Sequence, residues 1–213
     1  MTTAVKTQQK VLAWHFMADK NGVPALRNGE AAPSIGATLR HDGNLEICSS
    51  GLHASERLID ALQYAPGPWL ARVELSGQMI RQNDKLVATK RRILAVKNVE
   101  RELHEFAVMC AVNALERTGE TDERCWQAVD IKLAWLEGMA NDEDLAAAWA
   151  AARAAAWAAA RAAAWDAAWD AAMAAAWAAA RAAAMDAAWD AENIILTDMM
   201  TAALGLKEAH RAG

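Results

Sequence analysis

The sequence is poor in the residues that hold small secreted domains together and in those that interrupt helices. Its 213 residues include only three cysteines, four prolines, two phenylalanines and one tyrosine. The cysteines (Cys48, Cys110 and Cys125) are odd in number and have no paired spacing, which argues against a disulfide framework. This cysteine usage fits a reducing compartment, and we expect a cytoplasmic protein.

Signals of catalysis, export and membrane insertion are also missing. There is no Walker loop, no glycine-rich dinucleotide motif, no Gly-x-Ser-x-Gly elbow and no His-Glu-x-x-His helix. The N-terminal segment lacks the apolar core of a signal peptide. The charged residues of the alanine-rich stretch leave no uncharged run long enough to cross a membrane. We therefore expect no cofactor, no export and no membrane insertion.

Charge is distributed unevenly along the chain. The formal net charge is −5, yet residues 1–98 hold 13 basic and 8 acidic residues, whereas residues 99–213 hold 9 basic and 19 acidic ones. The acidic total argues against general nucleic-acid binding. The basic front and the acidic rear can attract each other, within one chain or between chains.

What the sequence does contain is a long alanine repeat, from Ala146 to Ala191, without glycine or proline. Alanine is the strongest helix former, so this stretch predicts a long helix. A large residue occupies every fourth position, at Trp149, Arg153, Trp157, Arg161, Trp165, Trp169, Met173, Trp177, Arg181, Met185 and Trp189. Each step of four advances about 40° around a helix, so the stripe of large residues winds around the rod instead of facing one way.

Exposed tryptophans at this density favour a contact surface. We predict that the helix mediates self-association or binds a protein partner through its six tryptophans, Trp149, Trp157, Trp165, Trp169, Trp177 and Trp189. The alternative origin is a low-complexity expansion that was tolerated because it stays helical, and this origin does not exclude a binding role.

The flanking residues set the predicted boundaries of the rod. Asn141 is placed to cap its N-terminus, and Gly205 marks its far end. We therefore divide the chain into a small domain at 1–98, two bracing helices within 99–140, the long Ala/Trp-rich helix at 141–205, and a tail at 206–213.

The front domain reads as α+β, with a small, mostly antiparallel sheet and one short helix. Strands are predicted at 11–17, 69–75 and within 85–96, and a hairpin through Asp42-Gly43 is predicted to join 37–40 to 45–48. Ser55 is expected to cap a helix over 56–64. The next two helices, over 100–117 and from 121 onward, show the apolar spacing of three and four residues that is typical of packed helices.

The segment Cys48-Ser-Ser-Gly-Leu-His-Ala-Ser55, followed by Tyr64, a strand ending in Ser76-Gly77 and Lys85-Leu-Val-Ala88, carries a family resemblance. Over residues 12–97 the chain resembles an uncharacterised domain of phage and prophage proteins that carries a Cys-x-x-Gly-Phe-His-Ala segment. The resemblance implies a compact α+β domain of phage origin, often followed by low-complexity repeats, and no established activity. Leu52 stands where that family usually has an aromatic residue.

A second resemblance concerns Trp14-His15, Gly51-Leu-His-Ala54, Tyr64 and Val73–Gly77. This order is similar to that of ADP-ribosyltransferases of the poly-ADP-ribose polymerase type. The resemblance implies that His15 takes the role of their NAD-contacting histidine and that His53 replaces their tyrosine. No glutamate occurs between Glu74 and Glu100, so the acid that orients ribose has no counterpart.

Three residues of the front domain are predicted to bind a ligand, namely His15, His53 and Tyr64. For His53 the competing interpretation is a histidine that fixes its own loop. The run Lys90-Arg91-Arg92, with Arg81, Lys85 and Lys97, is a phosphate-binding cluster, a solvated strand face or a docking surface for the acidic rear of the chain. His41, Cys48 and His53 match no standard zinc pattern, so no metal site is predicted, and Cys48 is expected to be a small strand residue.

We therefore predict a non-enzymatic accessory protein of phage type, without catalytic residues. Its front domain binds a partner or ligand, and its Ala/Trp rod self-associates or acts as a spacer. The alternative function is NAD or nucleotide binding by a degenerate protein of the ADP-ribosyltransferase type.

Overall fold

The computed structural model describes the backbone of residues 10–167 and 174–206, and the side chains of these ranges except 155–187. The chain forms two compact units: residues 1–100 together with 193–213, and residues 101–192. The elements are β1 (Val11–Lys20), β2 (Val23–Ala25), β3 (Thr38–Arg40), β4 (Leu52–Ala54), α1 (Leu58–Leu62), β5 (Trp69–Arg81), β6 (Leu86–Asn98), α2 (Glu100–Thr118), α3 (Glu123–Leu136), α4 (Asp142–Ala167) and α5 (Ala174–Ala203). The predicted α+β class is confirmed.

The first unit is built on one antiparallel sheet with the order β2-β1-β5-β6-β3. The short strands β3 and β4 pair with neighbouring parts of β6, β3 with residues 90–92 and β4 with residues 86–88. Trp14 and Ser55 exchange both backbone hydrogen bonds, at 2.8 and 3.0 Å. Since this exchange links the end of β4 to β1, the sheet curls around its own inner face.

The inner face of the curl carries the core of the first unit. Val11, Ala13, Val73, Leu75 and Ile93 all lie there and are buried. Directly paired residues of antiparallel strands point to the same face, and these side chains are paired across β1, β5 and β6. Their burial fixes the register of the three long strands, and this register positions the inward-facing polar residues described below.

One local prediction was wrong. Thr38–Arg40 pairs with β6 and does not form a hairpin with 45–48, where the chain makes a tight turn closed by a bridge between Glu46 and Ser50. Cys48 is exposed in that turn with a φ of 67°, so it is not a buried strand residue. The Asp42-Gly43 turn signal did not decide the pairing, because β6 offers Thr38–Arg40 a longer strand edge than residues 45–48 do.

The C-terminal part of α5 belongs to the core of the first unit. Leu196 and Met200 are fully buried, as is Leu58 of α1. The side-chain oxygen of Asn193 accepts the backbone N–H of Ile59 at 3.1 Å. Arg57, at the N-cap of α1, makes no capping bond, and the predicted cap Ser55 is instead bridged to Trp14. Asn193 therefore caps α1 from 134 residues away in the sequence.

The sequence prediction placed the whole of 141–205 outside the front domain, whereas the C-terminal part of α5 belongs to the same unit as residues up to 100. Residues 101–192 are inserted between two parts of the first unit. The physical reason lies in the sequence after the repeat, because Asn193-Ile-Ile-Leu-Thr-Asp-Met-Met200 replaces alanine with large apolar side chains. Two of them, four residues apart, point in nearly the same direction and fill the core.

The second unit contains α2, α3, α4 and the first part of α5. The rings of His104 and Trp135 pack edge to face with centroids 5.1 Å apart, which joins α2 to α3. The indole N–H of Trp135 donates to Asp142 at 2.7 Å and joins α3 to the start of α4. Arg117 and Glu192 form an ion pair at 3.4 Å between α2 and α5.

The predicted start of the rod is confirmed, because the side chain of Asn141 accepts the backbone N–H groups of Glu143 and Asp144. Gly205, with a φ of 64°, follows the end of α5. The predicted continuity of one helix depends on residues 168–173, which lie outside the described residues. Within the described ranges, no helix is both long and apolar enough to span a bilayer.

Candidate functional site

A cavity of about 740 Å³ opens in the first unit. Its walls come from β1, β4, the end of α1, the segment 26–28 and the turn 48–51, and all three predicted ligand residues, His15, His53 and Tyr64, line it. A volume of this size falls within the range of about 300–1,000 Å³ that holds small-molecule ligands in proteins.

Alternation along β6 brings Arg91 to this cavity. Val87 and Ile93 are fully buried and share their side of the strand with Arg91, which is only 4% exposed. The neighbouring Arg92 is exposed, because successive residues of a strand point to opposite faces. Of the basic run 90–92, only Arg91 lines the cavity.

His53 holds the turn that forms one wall. The backbone N–H of Cys48 donates to its Nε2 at 3.0 Å, and its Nδ1 lies 3.2 Å from the carbonyl oxygen of Gly51. Because Nε2 accepts, the proton must be on Nδ1, so the ring is a neutral imidazole in one tautomer. Burial, followed by the charges of Arg91 and Lys85, lowers the pKa of His53, whereas its bonds to the turn act in the opposite direction.

Gly51 explains why the turn can close so tightly. Its φ is 112°, a conformation that L side chains rarely adopt. A Cβ at this position would also collide with the side chains of Val87 and Leu45. The turn 48–51 therefore depends on this glycine as well as on the two bonds of His53.

The Arg91 guanidinium is buried, and no described residue supplies a counter-charge to it. Its Nη1 donates to the carbonyl oxygen of His53 at 2.8 Å, but its Nε has no hydrogen-bond partner among the described residues. It forms no ion pair with any carboxylate in the described ranges. Burial lowers the pKa of Arg91 to about 10, so it still carries its charge at neutral pH.

Tyr64 holds two further cations at the outer part of the cavity. Arg27 donates through Nη2 to the Tyr64 carbonyl oxygen at 2.7 Å. The Lys85 ammonium lies 3.0 Å from the Tyr64 hydroxyl and 4.2 Å from the centre of its ring. The hydroxyl in turn donates to Asp84. Hydrogen bonds to Tyr64 and Cys48 raise the pKa of Lys85, which keeps it protonated.

His15 adds a neutral polar wall. Burial is the main cause that lowers its pKa well below 6.5, and the charges of Arg91 and Arg27, together with His53, lower it further. An imidazole with this pKa is uncharged at neutral pH, so it offers a donor and an acceptor but no charge.

The balance of charge in the cavity is one-sided. Arg27, Lys85 and Arg91 line it, and among the described lining residues none is acidic. Asp84 lies beside Lys85, at 3.9 Å, and partly offsets that one cation. Arg27 and Arg91 are held by neutral carbonyl oxygens, which leaves their charge available to a ligand. Within the described ranges, no cluster of His, Cys, Asp or Glu is arranged to hold a metal ion.

The three residues predicted to bind a ligand line one cavity, but the sequence prediction did not include its three cations, Arg27, Lys85 and Arg91. His53 is engaged by its own turn, which corresponds to the competing interpretation given above. Arg91 was recognised only as part of a basic run. Its inward orientation could have been found from the apolar Val87 and Ile93 on the same side of the strand, since buried charge within an apolar alternation is unusual.

The first unit is thus an α+β module with a cationic cavity. Residues 29–105 match the model of a family described as a domain of unknown function (DUF7666). The match spans the turn at Cys48, Tyr64, Lys85 and Arg91, but not His15 or Arg27. The prediction that this region is an uncharacterised domain is confirmed in this form. No curated protein and no solved structure matches the chain.

Proposed function

We propose that the protein is a binding module whose first unit holds a small anionic molecule, without transforming it, in the cavity at Arg91. The observation that supports this most strongly is the buried guanidinium, which has one unsatisfied nitrogen and no ion pair among the described residues. Burying a charge without a partner costs several kcal/mol, and a bound anion would offset that cost.

The wider setting is an accessory protein of phage type. This origin rests on the resemblance of Cys48-Ser-Ser-Gly-Leu-His-Ala54 and the segments after it to a phage domain. The family match adds no activity, and a ligand-binding role requires no catalytic group. The binding module and the Ala/Trp helices are then two separate functional parts of one chain.

The second candidate is NAD or nucleotide binding of the ADP-ribosyltransferase type. The placement of His15, His53 and Tyr64 around one cavity favours it. Against a transfer reaction stands the lining itself, which has no carboxylate among its described residues to orient a ribose. Both ring nitrogens of His53 are also engaged by backbone groups. We therefore retain the nucleotide as a possible ligand and propose no transfer reaction.

Titration calorimetry with ADP and adenosine tests the anionic preference. We expect ADP to bind the full chain and adenosine to bind at least tenfold more weakly, because charge-assisted hydrogen bonds contribute about 1.5–3 kcal/mol. Low ionic strength keeps screening small. NAD serves as a third probe, since its two phosphates carry the same type of charge.

Two variants make this test specific. Arg91→Met should abolish ADP binding, whereas Arg92→Met removes the same charge from an exposed neighbour and should leave binding within twofold of the wild type. Equal binding of adenosine and ADP, or equal loss in both variants, contradicts the proposal.

We further propose that the Ala/Trp helices self-associate. Trp149 and Trp189 are 58% and 44% exposed. The side chains of Trp157, Trp165 and Trp177, and the whole of Trp169, lie outside the described residues. Such exposed indoles favour contact with another chain over permanent solvation.

Light scattering over a concentration series tests this part of the proposal. We expect the apparent mass of the full chain to increase with concentration. The variant in which Trp165, Trp169, Trp177 and Trp189 are all replaced by Ala should stay monomeric. Circular dichroism should show that helicity persists in this variant, because alanine favours the helix. A wild-type chain that stays monomeric at tens of micromolar would leave the repeat as a tolerated expansion.

A further inference from the structure

We propose that the cavity is a two-subsite receptor for a small molecule with two phosphate-type groups, one seated on Arg91 and the other between Arg27 and Lys85. This inference rests on the proposed anion-binding function and specifies the chemical class of the ligand. It is argued from three properties of Arg27, Lys85 and Arg91, namely how deeply each is buried in the cavity, which groups each one binds, and their number.

The inner subsite is formed by Arg91. The guanidinium is held inside the unit, where its Nη1 donates to the His53 carbonyl oxygen at 2.8 Å. Its Nε is buried and has no hydrogen-bond partner among the described residues. The planar guanidinium presents several donors in one fork, which matches the oxygens of a phosphate or carboxylate. The neutral His15 lines the same cavity and can donate to an oxygen of that group without adding charge.

The outer subsite is formed by Arg27 and Lys85. Both are held by one residue, since the Tyr64 carbonyl oxygen accepts from Arg27 and its hydroxyl from Lys85. Arg27 is exposed, and Lys85 is partly buried, so this pair lies nearer to solvent than Arg91. The three cations thus lie at two depths, which gives each of two anionic groups its own donors, and Arg27 and Arg91 have no ion pair among the described residues.

Size separates this ligand from a free inorganic ion. The cavity volume of about 740 Å³ lies in the range that encloses drug-sized molecules, which is far larger than one phosphate ion. An organic body between the two groups would fill the space against Trp14, Phe16 and Leu26, which also line the cavity. A bisphosphorylated metabolite of nucleotide size or smaller meets both the charge and the volume.

Titration calorimetry on the full chain tests the two subsites with matched probes. The probes are AMP, with one phosphate, ADP, with two adjacent phosphates, and adenosine 3′,5′-bisphosphate, with two separated ones. We expect at least one of the latter two to bind tenfold or more tightly than AMP. Glutarate, a dicarboxylate without phosphate, should bind more weakly than either, because each carboxylate carries less charge than a phosphate monoester.

Variants then assign each group to its subsite. Lys85→Met and Arg27→Met should weaken the tighter two-phosphate probe much more than AMP, so that the ratio of the two affinities falls from tenfold or more to below threefold. Arg91→Met should weaken all three nucleotides by tenfold or more. Tyr64→Phe keeps the carbonyl that holds Arg27 and the charge of Lys85, but it removes the hydroxyl that positions the ammonium. It should change the same affinity ratio in the direction of Lys85→Met, by a smaller factor.

The outcomes distinguish this inference from the function on which it rests. If AMP binds as tightly as both two-phosphate probes, and only Arg91→Met weakens binding, the anion site stands and the second subsite is refuted. If glutarate binds most tightly, the ligand class is a dicarboxylate and the phosphate assignment is wrong. If no probe shows binding that depends on Arg91, the proposed function itself fails.

Discussion

Replacing Leu196 and Met200 together by alanine is expected to unfold the first unit. Each side chain is fully buried, and truncation of a buried Leu or Met to Ala costs about 2–5 kcal/mol. The combined loss approaches the total stability of a typical domain, about 5–15 kcal/mol. The site would be lost as well, because α1, which Asn193 caps, leads into Tyr64.

Hydrogen–deuterium exchange of peptides from β1 and β5 measures the stability of the first unit separately from that of the second unit. We expect these peptides to lose their protection in the double variant. Ile194→Ala is the matched control, because Ile194 lies on the same helix but is 47% exposed, and such a surface change should stay within about 0.5 kcal/mol. Full protection of β1 and β5 in the double variant would show that 193–206 is not part of the core.

Arg91→Met is expected to stabilise the ligand-free protein. The change removes a buried charge that has no counter-ion among the described residues, and methionine fills a similar length without a polar group. We expect a net gain of about 1–3 kcal/mol, after the loss of about 1 kcal/mol from the hydrogen bond to the His53 carbonyl. A gain in stability would show that the buried charge carries a cost in the ligand-free protein, as residues of binding sites commonly do.

The exposed neighbour supplies the comparison for this prediction. Arg92→Met changes the net charge equally and should alter stability by no more than about 0.5 kcal/mol. Chemical denaturation with urea measures the free energy of unfolding of both variants. Hydrogen–deuterium exchange of the β1 and β5 peptides shows whether a change belongs to the first unit. A marked loss of stability in Arg91→Met would mean that the guanidinium is a structural element of the sheet.

The parts of the fold that depend on local pattern could be predicted from the sequence. Apolar segments of strand length located β1, β5 and β6, and Asn141 marked the start of the rod because a cap is a local signal. The pairing of Thr38–Arg40 with β6 and the return of Leu196 and Met200 were missed. Both depend on contacts between residues far apart in the chain, and apolar spacing shows only that a face is buried, not what covers it.

The lining of the candidate cavity could be predicted only in part, for a related reason. His15, His53 and Tyr64 could be found because each sits in a recognisable local setting, a strand, a turn and a helix end. The proposed role of Arg91 depends on three features. They are the alternation of inward- and outward-facing side chains along β6, the turn that places the His53 carbonyl beside Arg91, and the absence of a nearby carboxylate in the described structure. The first of these is visible in the sequence, whereas the other two arise only when the sheet curls.

Thermal unfolding by calorimetry, with and without ADP, tests the central claim most directly when the wild type, Arg91→Met and Arg92→Met are compared. For Arg91→Met we predict an unfolding temperature without ligand that is higher than that of the wild type by at least about 3 °C, and no further increase on adding ADP. The wild type and Arg92→Met should unfold at the lower temperature and be stabilised by ADP. An Arg91→Met protein that is less stable without ligand and still stabilised by ADP would contradict the account.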